Sequence, residues 1–292
     1  MKRAVFEKDF IRVEDSETGT PGAFLKFAFR VQAALYKLRY RFVHVKPQDK
    51  KYNVAVCAIF KNEAPYLKEW IEFNHLVGVE HFYLYNNNSE DDYQSVLEEY
   101  VQSGLVTLIQ FPYEQAQMKC YKDCIDKYAG ETKRGAVKLN WQLFGTSGRM
   151  DRDIEGLVAE DFTVCWPKYY DVGKCFYNTA FGVNPDSPQN AGMHHSFWTM
   201  YKGRQLPPVN AFDHVCTGTF SKADSRDFPI QLNHYFTKSY QEYVMKRSKG
   251  DVFFKTNPHD EEYFYFHENL CTAQDHSAYK YLIQLKQQMN RK

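Results

Sequence analysis

Two groups of side chains in this sequence have the types and spacing to handle a nucleotide. Lys61, Asn62 and Glu63 follow directly behind the apolar run VAVCAIF at 54–60. An ammonium at that point approaches phosphate, while the amide and carboxylate beside it hydrogen-bond a base edge or a ribose. Asn86, Asn87 and Asn88 close a second apolar run, HFYLY at 81–85. Asparagines tolerate unusual backbone angles and present amides at a loop. Each group also has a plainer reading, since polar residues end most strands and an asparagine run is commonly a solvated turn. Asp151, Arg152 and Asp153 spell an acidic D-x-D, but they follow GTSG in a polar stretch rather than an apolar strand, and we read them as a decoy. No glycine-rich dinucleotide fingerprint follows the first run, and neither a phosphate-binding GxxxxGK[ST] nor a GxSxG elbow occurs, which argues against oxidoreductases, phosphate-loop NTPases and serine hydrolases of that type.

The elements that position these residues are legible from periodicity. The runs at 54–60, 81–85 and 105–111 are short and continuously apolar, as strands buried on both faces are. Between them, 65–77 and 91–102 carry apolar residues at helical spacing and end at Gly78 and Gly104, and a third helix is predicted over 114–128. Alternating strands and helices predict an α/β fold with a mostly parallel sheet flanked by helices, whose ligands bind beyond the carboxyl ends of the strands. After Gly130 the rhythm fails. A strand at 137–144, Pro-bearing loops, a capping box at Ser239–Glu242 opening a helix to about 248, and a last helix over 275–289 make the C-terminal half irregular α+β.

Composition bounds the rest. A formal charge of +1 leaves no basic excess for nucleic acid. The aromatic share of 17% suits either a well-filled core or a carbohydrate or nucleobase site. Seven cysteines without zinc-ribbon spacing read as reduced structural thiols, Cys120 and Cys124 one helical turn apart on a helix face. The start lacks the apolar stretch of a secretory leader, and no run is long enough to span a bilayer, so a cytoplasmic protein is expected. Residues 22–43 form a basic, aromatic stretch without a single acid. A helix there either lies on an anionic membrane surface, making the protein peripheral to the inner face, or packs on the catalytic domain or a partner subunit. The domain division expected is 1–51 as an N-terminal extension, 52–251 as the catalytic domain and 252–292 as a helical extension.

The stretch from AVCAIFKNEAPYLKEWIEFNHLVGVEHFYLYNNNSEDD, with NWQLFGTSG at 140–148 and QLNHYFTKSYQEYVMKRSKGD at 231–251, resembles family-2-like glycosyltransferases of the GT-A fold, close to the family-92 group. The resemblance implies a GT-A-like, Rossmann-like domain that moves a sugar from a UDP-linked nucleotide donor to a glycan or lipid-linked acceptor, with inversion. It implies nucleotide contacts for Lys61, Asn62, Glu63, Asn86 and Asn88, a place beside the base for Gln117 and Tyr121, phosphate neutralisation by Lys238, and an approach of His234 to the metal or diphosphate. Read without that resemblance, His234 is an ordinary structural histidine.

The family's carboxylates, which hold Mn²⁺ or Mg²⁺ across the diphosphate, are expected on an apolar strand between the third helix and NWQLFG. Here the chain runs YAGETKRGAVKLNWQLFG, and no such strand stands between Lys133 and Arg134. Lys61, Lys238 and His234 are the cations left to serve a leaving diphosphate. Asp213 is the candidate general base, and His194 and His195 lie in a loop able to shape an acceptor site. The alternative is a catalytically impaired nucleotide-sugar-binding or scaffold protein.

Overall fold

The computed structural model describes residues 2–6, 10–15, 23–44, 51–128, 136–151, 155–178, 180–184, 187, 190, 197–217, 229–249 and 259–290. The chain opens with strands β1 (Lys2–Phe6) and β2 (Phe10–Asp15) and helix α1 (Ala23–Tyr40). It continues through β3 (Ala55–Phe60), α2 (Ala64–Leu76), β4 (His81–Asn86), α3 (Tyr93–Gln102), β5 (Val106–Gln110) and α4 (Gln117–Tyr128). Then come β6 (Ala136–Phe144), α5 (Val158–Asp161), β7 (Val164–Cys165), β8 (Tyr169–Tyr170), β9 (Gly173–Tyr177), β10 (Thr199–Tyr201), β11 (Arg204–Leu206) and β12 (Val209–Asn210). The last elements are β13 (Leu232–Tyr235), α6 (Tyr240–Ser248), α7 (Glu261–Glu268), β14 (Ala273–Gln274) and α8 (Tyr279–Met289). They group into two compact units interleaved in sequence. The first takes Met1–Asp49, Gly130–Leu143 and Trp166–His234, and the second takes Lys50–Ala129, Phe144–Cys165 and Tyr235–Lys292.

The second unit holds a parallel sheet in the order β3-β4-β5, with Ala55 opposite His81 and Phe82 opposite Val106. Its helices lie on both faces, because alternate strand residues point to opposite sides. Val56, Ala58 and Phe60 of β3, Phe82 and Leu84 of β4, and Val106 and Leu108 of β5 pack with Leu67 and Ile71 of α2 and Leu97 and Tyr100 of α3. Cys57, Ile59, Tyr83, Tyr85 and Ile109 turn the other way, against Cys120, Tyr121 and Cys124 of α4. Gly78 (φ +106°) and Gly104 (φ +77°) end α2 and α3 in the left-handed conformation that favours glycine. The seven cysteines are free thiols. The sulfurs of Cys57 and Cys120 lie 3.9 Å apart in this layer, and the Cys57 thiol is pushed well above its usual range, first by its hydrogen bond with Cys120 and then by burial, so it stays protonated and inert at neutral pH.

Helix α8 packs Leu282 and Leu285 onto Phe73 and Leu76 of α2, together with Leu157 and Ala159 around α5. It begins at Tyr279, not at the expected 275. Asp275 instead accepts from Ser277 N at 2.6 Å, and Tyr279 N bonds His276 O, so a turn occupies the first part of that stretch. α7 falls within the expected helical extension, though no helix is predicted at those residues; Asp260 caps it by accepting from Tyr263 N at 2.8 Å.

The first unit is β-rich. β1 and β2, within the expected N-terminal extension, form an antiparallel pair, and β2 runs parallel to β8. β6 pairs with β9 antiparallel and with β12 parallel, and β13 also joins it. The sheet is therefore not mostly parallel throughout: among the described residues the uninterrupted parallel order is confined to β3-β4-β5. Gly173 faces Asn140 so closely that a Cβ would stand 1.7 Å from the Leu139 carbonyl oxygen, and only glycine lets β9 close on β6. α1 seats Tyr40 among Phe181, Leu206 and Val209. Among the described residues no helix is long and apolar enough to cross a membrane.

Candidate functional site

In the second unit the carboxyl ends of β3 and β4 are stitched together by the asparagines. Asn62 takes a left-handed backbone (φ 53°). Its N–H donates to Ser89 Oγ at 2.9 Å, and its side-chain oxygen accepts from Glu90 N at 2.7 Å. Asn86 is buried, donating to Gln110 Oε1 (2.7 Å) and Tyr93 OH (3.0 Å) and accepting from Ser89 N (3.0 Å). Asn87 reaches the carbonyls of Phe111 and Tyr113 at 2.8 and 2.9 Å, and its N–H bonds Phe60 O. Asn88, left-handed at φ 54°, is the exposed member of the run. Asn86 and Asn87 thus build the loop from within, and Asn88 is the amide it offers outward.

Pro65 and Glu63 stand at the start of α2 as expected, but Glu63 makes no capping hydrogen bond. Asp91 takes that task, accepting from Ala64 N at 2.7 Å. The Glu63 carboxylate is left between two cations, Lys238 Nζ at 3.7 Å and Lys249 Nζ at 3.9 Å. Lys249 also donates to the Asn62 carbonyl. Lys238 sits 3.1 Å from the centre of the Tyr66 ring, where the ring quadrupole favours it, and holds a left-handed backbone (φ 53°). Tyr66 is fixed in turn by its phenol, which donates to Glu242 Oε1. Glu242 completes the predicted capping box, accepting from Ser239 N at 2.9 Å while Ser239 Oγ accepts from Glu242 N. Glu63, Lys238 and Lys249 thus form a group of one carboxylate and two ammoniums, and Lys61, half-buried, directly follows β3 in the same unit. Lys249 is the member sequence reasoning missed; its position one helix-length behind the FTKS segment was the signal.

The other expected residues have partners of their own. Gln117 donates to Tyr121 OH at 3.1 Å on α4, and burial pushes the Tyr121 phenol far above its usual range, as it packs against the sheet. His234 belongs to the first unit, its ring stacked on Trp141 with centroids 4.2 Å apart and planes 8° off parallel. Asp213, at φ 60°, is in the first unit too. It lines a cavity of about 310 Å³ with Lys37, Tyr40, Arg41, Val209 and Val215. His194, His195, Arg152, Asp153, Lys133 and Arg134 lie outside the described residues; Asp151 is exposed.

One group of three potential metal ligands forms among the described residues, and it includes neither His234 nor a D-x-D. It is His267, Glu268 and Cys271, whose ligand atoms lie within 4.8 Å of one another. Mn²⁺ and Mg²⁺ prefer oxygen ligands, and Glu268 is already engaged by Thr146 N (2.9 Å), Thr146 Oγ1 (2.7 Å) and Thr237 Oγ1 (3.4 Å). Cys271 donates to the His267 carbonyl at 3.5 Å. The group does not fit the family's metal, and no step is derived through one.

The same group sets an acid response. Burial holds the His267 pKa below the ordinary imidazole value, although the Glu268 carboxylate opposes it. Unfolding restores ordinary proton affinity, so below about pH 6.5 the unfolded chain binds a proton that the fold refuses, and stability falls. For Glu268 and Glu242, burial acts upward, but donors (His267 and Thr146 for one, Tyr66 and Ser239 for the other) outweigh it and leave both pKa values lowered. Their contribution is full above about pH 4.5 and is lost as pH falls through the depressed folded values. Melting temperature against pH is expected to decline in two stages. His267→Phe, placed beside Phe236 at 5.1 Å, is expected to shrink the upper stage, which His267 shares with His81, a second histidine whose pKa burial lowers; a variant that leaves the stage undiminished refutes the contribution of His267.

The glycosyltransferase family 92 pattern matches residues 50–151. A family 92 protein of Ricinus communis is 31% identical over 77 residues, 26% of this chain and 14% of that protein. One of Arabidopsis thaliana is 40% identical over 53 residues, covering 18% and 9%, and one of Oryza sativa subsp. japonica is 32% identical over 76 residues, covering 26% and 13%. The matched segments thus span 9 to 14% of these relatives' own length. No solved structure matches the chain. The resemblance read from the motifs is borne out over residues 50–151, which are similar to glycosyltransferase family 92, while the 231–251 block lies outside the match.

Proposed function

We propose that this chain is a nucleotide-sugar-dependent glycosyltransferase with a GT-A-like arrangement, moving a sugar from a UDP-linked donor to a glycan or lipid-linked acceptor with inversion. The observation that carries the reading is the placing of the Glu63 carboxylate between Lys238 and Lys249, with Lys61 two residues before it, at the carboxyl ends of parallel strands, where such sheets take their ligands. The three ammoniums offset diphosphate charge as the bond from the anomeric carbon to the leaving oxygen breaks. Glu63 and Asn62 serve ribose or base, and Asn88 lends its amide. Asp213 is the proposed base, taking the proton of the acceptor hydroxyl whose oxygen attacks the anomeric carbon.

One observation favours a second reading, a nucleotide-sugar binder with little or no turnover. α4 ends at Tyr128 and β6 begins at Ala136, and residues 129–135 carry a single acid, Glu131. With one acid, that connection offers no D-x-D pair of carboxylates. Calorimetry with UDP, with and without Mn²⁺, followed by a sugar-nucleotide hydrolysis and transfer assay, separates the two. Binding with turnover supports the transferase. Binding without it selects the binder, and no UDP binding removes both.

A further inference from the structure

Helix α1 carries two apolar faces where a helix on a domain surface needs one. Phe29, Ala33, Tyr36 and Tyr40 recur at helical spacing on the face turned into the first unit. Tyr36 meets Trp198 edge-on at 5.7 Å, Tyr40 OH donates to the Pro207 carbonyl, and the Phe29 carbonyl accepts from Thr217 Oγ1 at 3.3 Å. On the opposite face Phe24, Phe27, Val31, Leu35 and Leu38 form a second stripe, and Phe42 extends it in the turn beyond the helix. They are 83, 62, 44, 64, 51 and 72% exposed, in that order. At 100° per residue these six fall within one narrow arc. Arg30, Lys37 and Arg41 line one side of that arc and Arg39 the other, all exposed.

We infer that this outer face of α1 is a docking surface for an anionic lipid bilayer, with the helix lying in the plane of the interface. The charge pattern selects that occupant. Residues 22–43 contain no acid, and the cations flank the apolar stripe, so their stems lie along the acyl boundary while their heads reach lipid phosphates. The stripe ends in aromatic rings, Phe24 and Phe42, and the helix is not apolar enough to cross the membrane. The inference stands independently of the transferase reading.

The test is co-sedimentation of the full chain with phosphatidylcholine vesicles, with and without phosphatidylglycerol. Binding is expected to the anionic vesicles, weaker to the neutral ones, and reversed by salt. The combined variant Phe24→Ser, Phe27→Ser, Leu35→Ser and Phe42→Ser is expected to stay in the supernatant with an unchanged melting temperature, because these side chains are exposed. Arg30→Glu, Lys37→Glu and Arg41→Glu together are expected to weaken binding to anionic vesicles roughly a hundredfold. Absence of binding to anionic vesicles, or full binding by the serine variant, overturns the inference. So does a dimer, seen by analytical ultracentrifugation, that the serine variant dissolves while the parent ignores vesicles; the stripe is then a contact between two copies.

Discussion

Glu69→Ala is expected to destabilise the second unit by about 3 kcal/mol. Glu69 is buried on α2, and its carboxylate accepts from Val158 N at 2.7 Å and Ala159 N at 2.9 Å, the first two amides of α5. These are donors that a helix start leaves without an internal partner, and a carboxylate there is also favoured by the partial positive charge of the exposed amides. Alanine strands two buried N–H groups and opens space beneath Leu157 and Ala159, which pack with α8. Melting is expected to fall by roughly 10 °C. Glu69→Gln keeps one acceptor and turns a donor towards the second amide, so about half the loss is expected. An alanine variant that melts with the parent means water has replaced the carboxylate, and the assigned role is wrong.

Under the proposed function, Lys61→Glu is expected to weaken UDP binding about a thousandfold. Two effects add. The charge-assisted contact to phosphate is lost, and a carboxylate is set against the diphosphate in a half-buried position. The fold itself is little affected, because Lys61 makes no hydrogen bond or ion pair among the described residues. Calorimetry with UDP reads the affinity, and the melting curve without ligand serves as control. An unchanged affinity places the nucleotide elsewhere. Lys249→Ala gives a smaller loss and loosens the Asn62 carbonyl it holds.

The alternation of β3, α2, β4, α3, β5 and α4 is legible in the sequence because each element carries its own period and its own stop. The VAVCAIF run supplies both faces of a sheet, and Gly78 and Gly104 end helices at once. The capping box at Ser239 is legible for the same local reason. The first unit is not, since strands as short as β8 or β12 have no period to read and exist only through pairing with β2 and β6. The site divides likewise. KNE and the asparagine run announce polar strand ends, but which amide faces outward depends on Tyr93 and Gln110 accepting Asn86. The contact of Lys238 with Tyr66, and of Tyr66 with Glu242, joins residues far apart in the chain, and no local pattern encodes it.

Lys238 lies in a backbone conformation that an L-residue adopts at a cost of about 1 kcal/mol and glycine adopts freely. Selection for heat resistance alone therefore pulls this position towards glycine, and the hardier protein that results has lost a positive charge beside Glu63. Durability and chemical work compete at a single residue here, and a laboratory lineage evolved only to survive heating is the one most apt to fall silent.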